Sequence, residues 1–366
     1  SIANGAHRVA SAIYLNETVD CVEIDVANYI CDYQFCYHRG VPEPILDIGA
    51  TKFVEYANNM YIAFIWPTAR GHEKELKEII PNIVYEKKVI LNANGAHNLL
   101  SQIYAGEKWL GNAGNNFSGV HTKLAACFET FDAIKVVAFQ ADNLEIVLKI
   151  KDETRALFNK GKHSIHITDT GSEAVKIAHL VLNNNSVHFL NYAKPNKYSS
   201  IYRKIAKYKS FIEKNNLSVD NMLLDGGTVL TLYGLRESSD IDYFSSESMR
   251  AKYYDDALDQ HDEELIHHKK EKLELIYNPK FYFYFNGLKF ISFYQLYQMK
   301  KNRSNIKDIN DCKMMEALIE NNWLEGFVSK TKQSLYYAII RFSMKILKVT
   351  GMYKTVRYFY RKIKQH

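Results

Sequence analysis

Two spacings of apolar residues alternate along this chain. Runs in which every position or every second position is apolar predict strands at residues 61–67 (YIAFIWP), 145–150, 164–168, 183–191, 240–244 and 271–276. Repeats at three and four residues predict helices at 71–80, 151–159 and 201–215, another at 335–349 in the tail, and a solvated acidic helix at 255–264. Strands and helices interleave, so the expected class is α/β (α+β). The polar stretch 194–200 (KPNKYSS) reads as a linker. The expected organisation is an N-terminal α/β domain at 1–195, a second α/β domain at 200–326 and a basic helical tail at 327–366.

Residues 223–244 (LLDGGTVLTLYGLRESSDIDYF) concentrate the chemistry. In a strand, Asp240 and Asp242 point to one side while Ile241 and Tyr243 point to the other. Two carboxylates on one small patch repel, and a hard divalent cation, Mg²⁺ or Mn²⁺, is their natural counter-charge. Gly226 and Gly227 follow an apolar run, and a loop without β-carbons lets backbone N–H groups approach a polyphosphate. A third carboxylate is expected on a neighbouring strand. Within 271–276 (EKLELI), Glu274 is flanked by Leu273 and Leu275 and is preferred to Glu271.

This order of strand, glycine loop, helix and acidic strand resembles the signature of the nucleotidyltransferase-fold superfamily. The DGGT wording, followed by an arginine and DID, resembles its LicD and fukutin branch, whose members transfer phosphate-containing groups onto glycans. Residues 300–311 (KKNRSNIKDIND) are similar to the segment after the catalytic strands in AbiEii-like nucleotidyltransferases. Over residues 200–326 the resemblance implies that Asp240, Asp242 and Glu274 are catalytic and hold metal. It also implies that Gly226, Gly227, Thr228, Arg236, Lys300 and Lys307 face a nucleotide, with Arg303 adding charge and Asp308 orienting one of the cations. The implied donor is a nucleoside triphosphate or nucleotide-activated group, and the implied acceptor a sugar phosphate or glycan.

A second box stands at the N-terminus. Residues 2–25 contain NGAHR ahead of a helical pattern and resemble the glycine-His-Arg box of the ParB and sulfiredoxin-like fold, which implies an anionic ligand held by Asn4, His7 and Arg8. Residues 94–104 (NGAHNLLSQIY) repeat residues 4–14 (NGAHRVASAIY) at seven of eleven positions. Asn98 replaces Arg8, so the second copy either binds something neutral or only packs. Residues 107–123 (EKWLGNAGNNFSGVHTK) read as a long loop ending in His121 and Lys123. In 162–173 (KHSIHITDTGSE), Ser164, His166 and Thr168 alternate with apolar positions and Asp169 closes the strand. That places His166 and Asp169 at the strand end where α/β sheets bind ligands, with Thr170 or Ser172 capping the next helix.

Charge modifies the reading. The net charge is +6, yet residues 326–366 hold ten Lys and Arg and no acid, which leaves 37 basic against 41 acidic residues before them. Phosphate contacts to nucleic acid need clustered cations, so the body of the chain argues against that partner. Leu335, Ile339, Phe342, Ile346 and Val349 share one helical stripe beside Arg341, Lys345 and Lys348, a pattern that suits an anionic membrane surface or a packing face. The five cysteines form no CxxC pair and no zinc-ligand spacing, as expected of reduced thiols in a cytoplasmic protein. No apolar run approaches the ~18 residues of a membrane span.

Together these readings predict a metal-dependent transferase of nucleotidyl or phosphoryl groups in bacterial surface-polysaccharide assembly, cytoplasmic and peripheral on the inner face of the membrane. A toxin-like nucleotidyltransferase modifying RNA or protein is the alternative that residues 300–311 suggest, and a non-catalytic ParB-like nucleic-acid binder is the one that the N-terminal box suggests.

Overall fold

The computed structural model describes residues 17–18, 32–247 and 258–352. The NGAHR box with Asn4, His7 and Arg8 lies outside them. The chain forms a mixed α/β protein with two sheets and divides into two compact units, residues 1–191 with 283–287, and residues 192–282 with 288–366.

In the first unit, α1 (Tyr33–His38) and α2 (Glu43–Tyr56) precede β1 (Met60–Ile65), α3 (Glu73–Ile79), β2 (Ile83–Val89) and α4 (Ala93–Ile103). Then come α5 (Val120–Cys127), β3 (Ile134–Gln140), α6 (Leu144–Phe158), β4 (Ile165–Ile167), α7 (Gly171–Val181) and α8 (Asn184–Tyr192). The sheet order is β2-β3-β1-β4, with antiparallel pairing throughout. Residues of β1 are buried on both faces, which is why this segment reads as an unbroken apolar run. Ile62 and Phe64 join Ala50, Val54, Leu99 and Ile177 of α2, α4 and α7 in one cluster. Tyr61, Ala63 and Ile65 join Leu76, Val147 and Ile150 of α3 and α6 in the other. Fully burying each Val, Leu, Ile or Phe side chain of these clusters stabilises the unit by ~1.5–3 kcal/mol.

Several sequence expectations change here. The strand expected at 145–150 and the helix at 151–159 are one helix, α6, capped by the Asn143 side chain accepting from Ile146 N–H. Its buried positions Val147, Ile150, Lys151 and Thr154 follow helical spacing, which six residues taken alone do not reveal. The strand expected at 183–191 is α8, started by Asn183 accepting from Ser186 N–H. His121 and Lys123 sit on α5 rather than on the long loop. β3 has no counterpart among the strands predicted from apolar spacing.

The second unit contains α9 (Ser200–Lys214), β5 (Met222–Asp225), α10 (Gly227–Leu232), β6 (Ile241–Ser245) and β7 (Leu258–Gln260). It continues with α11 (Leu265–His268), α12 (Lys272–Tyr277), β9 (Leu288–Ile291), α13 (Phe293–Arg303), α14 (Ile306–Ile319) and α15 (Trp323–Val349), whereas β8 (Tyr282–Phe285) belongs to the first unit from Phe283 onward. The sheet order is β7-β6-β5-β9-β8. β5 pairs antiparallel with β6 and parallel with β9, while β6 pairs parallel with β7. The described part of the expected acidic helix is β7 followed by a short 3-10 turn at Asp262–Glu264. The expected strand at 271–276 is the helix α12, with Leu275 and Ile276 buried and Leu273 exposed.

Candidate active site

The apolar strand β5 is buried along its length and ends in Asp225. Gly226 follows at φ +64°, ψ −136°, a backbone conformation open to glycine. A β-carbon there would fall 2.0 Å from Asp242 Oδ2, and one on Gly227 would fall 2.8 Å from Ser238 Cβ. The Gly227 N–H favours the ionised Asp242 carboxylate. The spaces beside both glycines are therefore filled by protein, and the pair first serves the close approach of Asp242 and Ser238 rather than forming an open phosphate loop. Thr228 is buried with its hydroxyl donating to the Asp225 carbonyl at 2.6 Å, so it faces inward.

Strand register brings carboxylates together. Asp225 lies opposite Asp242, and Asp242 opposite Asp259, and directly opposed residues share one face of a sheet. Asp240 is exposed in the bend just before β6, and Asp242 is half-buried within it. Burial, with the charges of Asp240 and Asp225, pushes the Asp242 carboxyl up to about 6 against the opposing pull of His261 and the Gly227 N–H.

Behind this row, Asp225 is fully buried and accepts from His261 Nδ1 at 2.9 Å and His268 Nε2 at 3.1 Å. Burial raises its carboxyl, but the two imidazoles outweigh that and hold it well below the usual carboxylate range. Burial works against the charged His261 imidazole, yet the hydrogen bond and charge of Asp225, with the charge of Asp242, lift it to about 9. Gln295 fixes His268 by donating to its backbone carbonyl at 3.0 Å. The second Asp225 oxygen, Oδ1, is buried with no hydrogen-bond partner among the described residues.

Cations from separate elements converge on Asp240. Lys204 of α9 donates to the Ser238 hydroxyl at 2.6 Å and to the Asp240 carbonyl at 3.2 Å. Burial lowers its pKa, against the raising charges of Asp240 and Asp242. Lys307 of α14 is lowered by burial and by Arg236 and Lys300, with Asp311 and Asp240 opposing. The Tyr337 hydroxyl is raised by burial and also feels Asp240.

Arg236 and Lys300 are spent on the interior. Arg236 makes a bidentate pair with Asp311, Nε–Oδ1 at 2.7 Å and Nη2–Oδ2 at 2.8 Å, and is buried. Lys300, also buried, pairs with Asp311 at 2.8 Å and Asp308 at 3.1 Å. Arg303 makes a bidentate pair with Asp308 at 2.8 and 2.9 Å, so Asp308 orients two cations, as the sequence suggested for one. The expectation that Arg236 and Lys300 face phosphates is corrected: they tie the loop before β6 to α13 and α14. Of the cations expected at the phosphates, Lys307 remains half-buried beside Asp240. Lys204, His261, His268 and Asp225 were missed. An acid closing a buried strand immediately before the glycine pair was the signal that marked Asp225.

Glu274 is corrected as well. It sits on α12, not on a strand, and its carboxylate accepts from Lys270 at 3.1 Å, four residues earlier.

His166 and Asp169 belong to the first unit. His166 lies on β4 with Nε2 3.4 Å from Glu173 Oε1 and its ring 5.3 Å from that of Tyr104. Asp169 pairs with Lys151 at 2.5 Å, and its N–H donates to Glu173 at 2.7 Å while Thr170 caps α7. Because β4 pairs antiparallel with β1, the rule for ligand sites at the ends of parallel strands does not apply here. Ser164 and Thr168 are fully buried, with Thr168 accepting from Ile62 N–H. The repeated NGAH copy packs rather than opening a site. Asn92 caps Gly95 N–H, a β-carbon on Gly95 would meet Asn191 Oδ1 at 2.3 Å, and buried Asn98 donates to the Leu190 carbonyl at 2.8 Å.

Among the described residues no group of three His, Cys, Asp or Glu side chains is arranged to hold a metal ion. Comparison with known proteins gives no match to a family model, a curated protein or a solved structure.

Proposed function

We propose that the second unit is a metal-dependent nucleotidyl- or phosphoryl-group transferase whose centre is Asp240 and Asp242. The observation that carries this reading is the crowding of Asp242, half-buried, pressed by Asp240 and Asp225, and raised to about 6. Such a carboxylate is held ready for a cation. The residues fit Mg²⁺ or Mn²⁺ in the open manner common for Mg²⁺, in which one or two carboxylates act with water and substrate phosphates instead of an all-protein cage. When bound, the ion would offset negative charge on the transferring group.

The chain's own groups have distinct parts. Lys307 lies beside Asp240 and would meet phosphate oxygens, while Lys204, donating to the Ser238 carbonyl and hydroxyl and to the Asp240 carbonyl, holds the loop that carries both residues. His261, charged against Asp225, partly compensates Asp242 from the protein side. The Arg236–Asp311–Lys300–Asp308–Arg303 network fixes the loop that carries Ser238 and Asp240.

The DGGT resemblance supports a sugar-phosphate or glycan acceptor and a nucleotide donor. The tail supports a membrane-proximal setting. No helix among the described residues is long and apolar enough to cross a membrane. On α15, however, Leu335, Ile339, Phe342, Ile346 and Val349 are all exposed. Their apolar stripe on a helix of a tail with ten cations suits an anionic bilayer surface.

The reading is tested by incubating the protein with Mg²⁺, nucleoside triphosphates and sugar phosphates and following products by mass. Asp240→Asn and Asp242→Asn keep side-chain shape but remove ligand charge, and each should abolish transfer with the fold intact. Undiminished turnover in either variant refutes the assignment. Transfer to RNA or protein in place of sugar phosphates would select the toxin-like reading, which residues 300–311 favour.

A further inference from the structure

The first unit carries an open pocket of about 580 Å³ lined by five cations, Lys123 of α5, Lys151 and Arg155 of α6, and Lys160 and Lys162 before β4. Among the described residues no carboxylate lines it. Three of the cations have partners outside the lining: Lys151 with Asp169, Arg155 with Asp152 and Lys160 with Glu129. Lys123 and Lys162 make no ion pair among the described residues. Lys123 Nζ instead donates to the Lys162 carbonyl at 2.7 Å and sits 5.6 Å from the centre of the Tyr104 ring. Arg155 Nε is buried with no hydrogen-bond partner among the described residues. Tyr104 and Trp109, with ring centroids 5.2 Å apart, supply an aromatic wall.

Like charges gathered around one hollow repel and are costly to desolvate unless an anion joins them. Burial, with the charges of Arg155 and Lys162, lowers the Lys123 ammonium pKa, in keeping with that strain. Phosphate oxygens satisfy several such donors at once, and an aromatic wall favours a ligand with an apolar or ring-shaped body. The volume lies in the range of small-molecule pockets, ~300–1,000 Å³.

We propose that this pocket binds a small organic phosphate, with its phosphate oxygens on Lys123, Lys162 and Arg155 and its organic part against Tyr104 and Trp109. The site is separate from Asp240 and Asp242 in sequence and stands whether or not those residues are catalytic.

Calorimetric titration of the full chain with uridine diphosphate, glucose 1-phosphate and inorganic phosphate tests it. At least one organic phosphate should bind about tenfold or more tightly than inorganic phosphate, and added salt should weaken it. In Mg²⁺-free buffer, Lys123→Ala with Lys162→Ala should reduce that affinity about tenfold or more. Trp109→Ala, at a partly exposed site, should weaken the organic ligand and not inorganic phosphate. Should the double variant fail to fold, Lys162→Gln alone, at an exposed position, serves in its place. Binding that survives the lysine changes overturns the proposal, as does no preference over inorganic phosphate.

Discussion

Placing a methyl group at Gly226 should unseat Asp242, and the cost can be divided. An alanine forced to φ +64°, ψ −136° bears a backbone strain of ~1–3 kcal/mol. Its β-carbon would also stand 2.0 Å from Asp242 Oδ2 and 3.0 Å from Cγ, so the carboxylate must swing away from its place beside the Gly227 N–H. Losing that favourable N–H contact to the charged carboxylate is bounded by the ~1.5–3 kcal/mol of a full hydrogen bond to a charged group. Gly226→Ala should therefore destabilise the protein by roughly 3–6 kcal/mol. In an Asp242→Ala background the carboxylate is gone and only strain should remain, ~1–3 kcal/mol. The coupling between the two sites, ~1.5–3 kcal/mol, is measured by urea titration of the four proteins at pH 7 by circular dichroism. Gly226→Ala should also lose any transferase activity to the extent that Asp242→Asn does. Equal costs in both backgrounds, or a single-variant cost below ~0.5 kcal/mol, would show that the glycine does not make room for Asp242.

Further outcomes follow from the same unit and its tail. Because His261 is raised to about 9, above the ~6.5 of an unfolded histidine, its pairing with Asp225 stabilises fully below pH ~6.5 and is lost as pH rises through 9. Stability should fall by roughly 2–3 kcal/mol between pH 7 and 10, and Asp225→Asn should flatten that slope; an unchanged slope would exclude the pair as its source. For the tail, Leu335→Asp with Phe342→Asp changes only exposed positions and should abolish low-salt flotation with anionic vesicles at an unchanged melting temperature. Intact protein that ignores such vesicles at low salt would rule out membrane docking by this face.

Local sequence determined what depends on neighbours along the chain. Apolar residues in an unbroken run made β1 legible because a strand buried on both faces has no polar position to spare. The order of buried strand, glycine pair, short helix and acidic strand from β5 to β6 was legible from apolar runs and glycine placement, but that Asp242 and Ser238 fill the space beside the glycines was not. Helix caps such as Thr170 were legible for the same local reason. Short apolar windows at 145–150, 183–191 and 271–276 were not, since half a dozen residues suit either period and burial against distant elements decides between them.

Tertiary structure alone decided which charges serve chemistry and which serve the core. Arg236 and Lys300 look from the sequence like phosphate ligands, yet Asp311, 75 residues from Arg236, claims both. Asp225 acquires its place because β5 and β6 pair in the register that sets it opposite Asp242, and because His261 and His268 arrive from segments 36 and 43 residues away. A side chain's ionisation and availability depend on solvent exclusion and on the charges that folding brings within a few ångströms. Neither quantity is written in the spacing of residues along the chain.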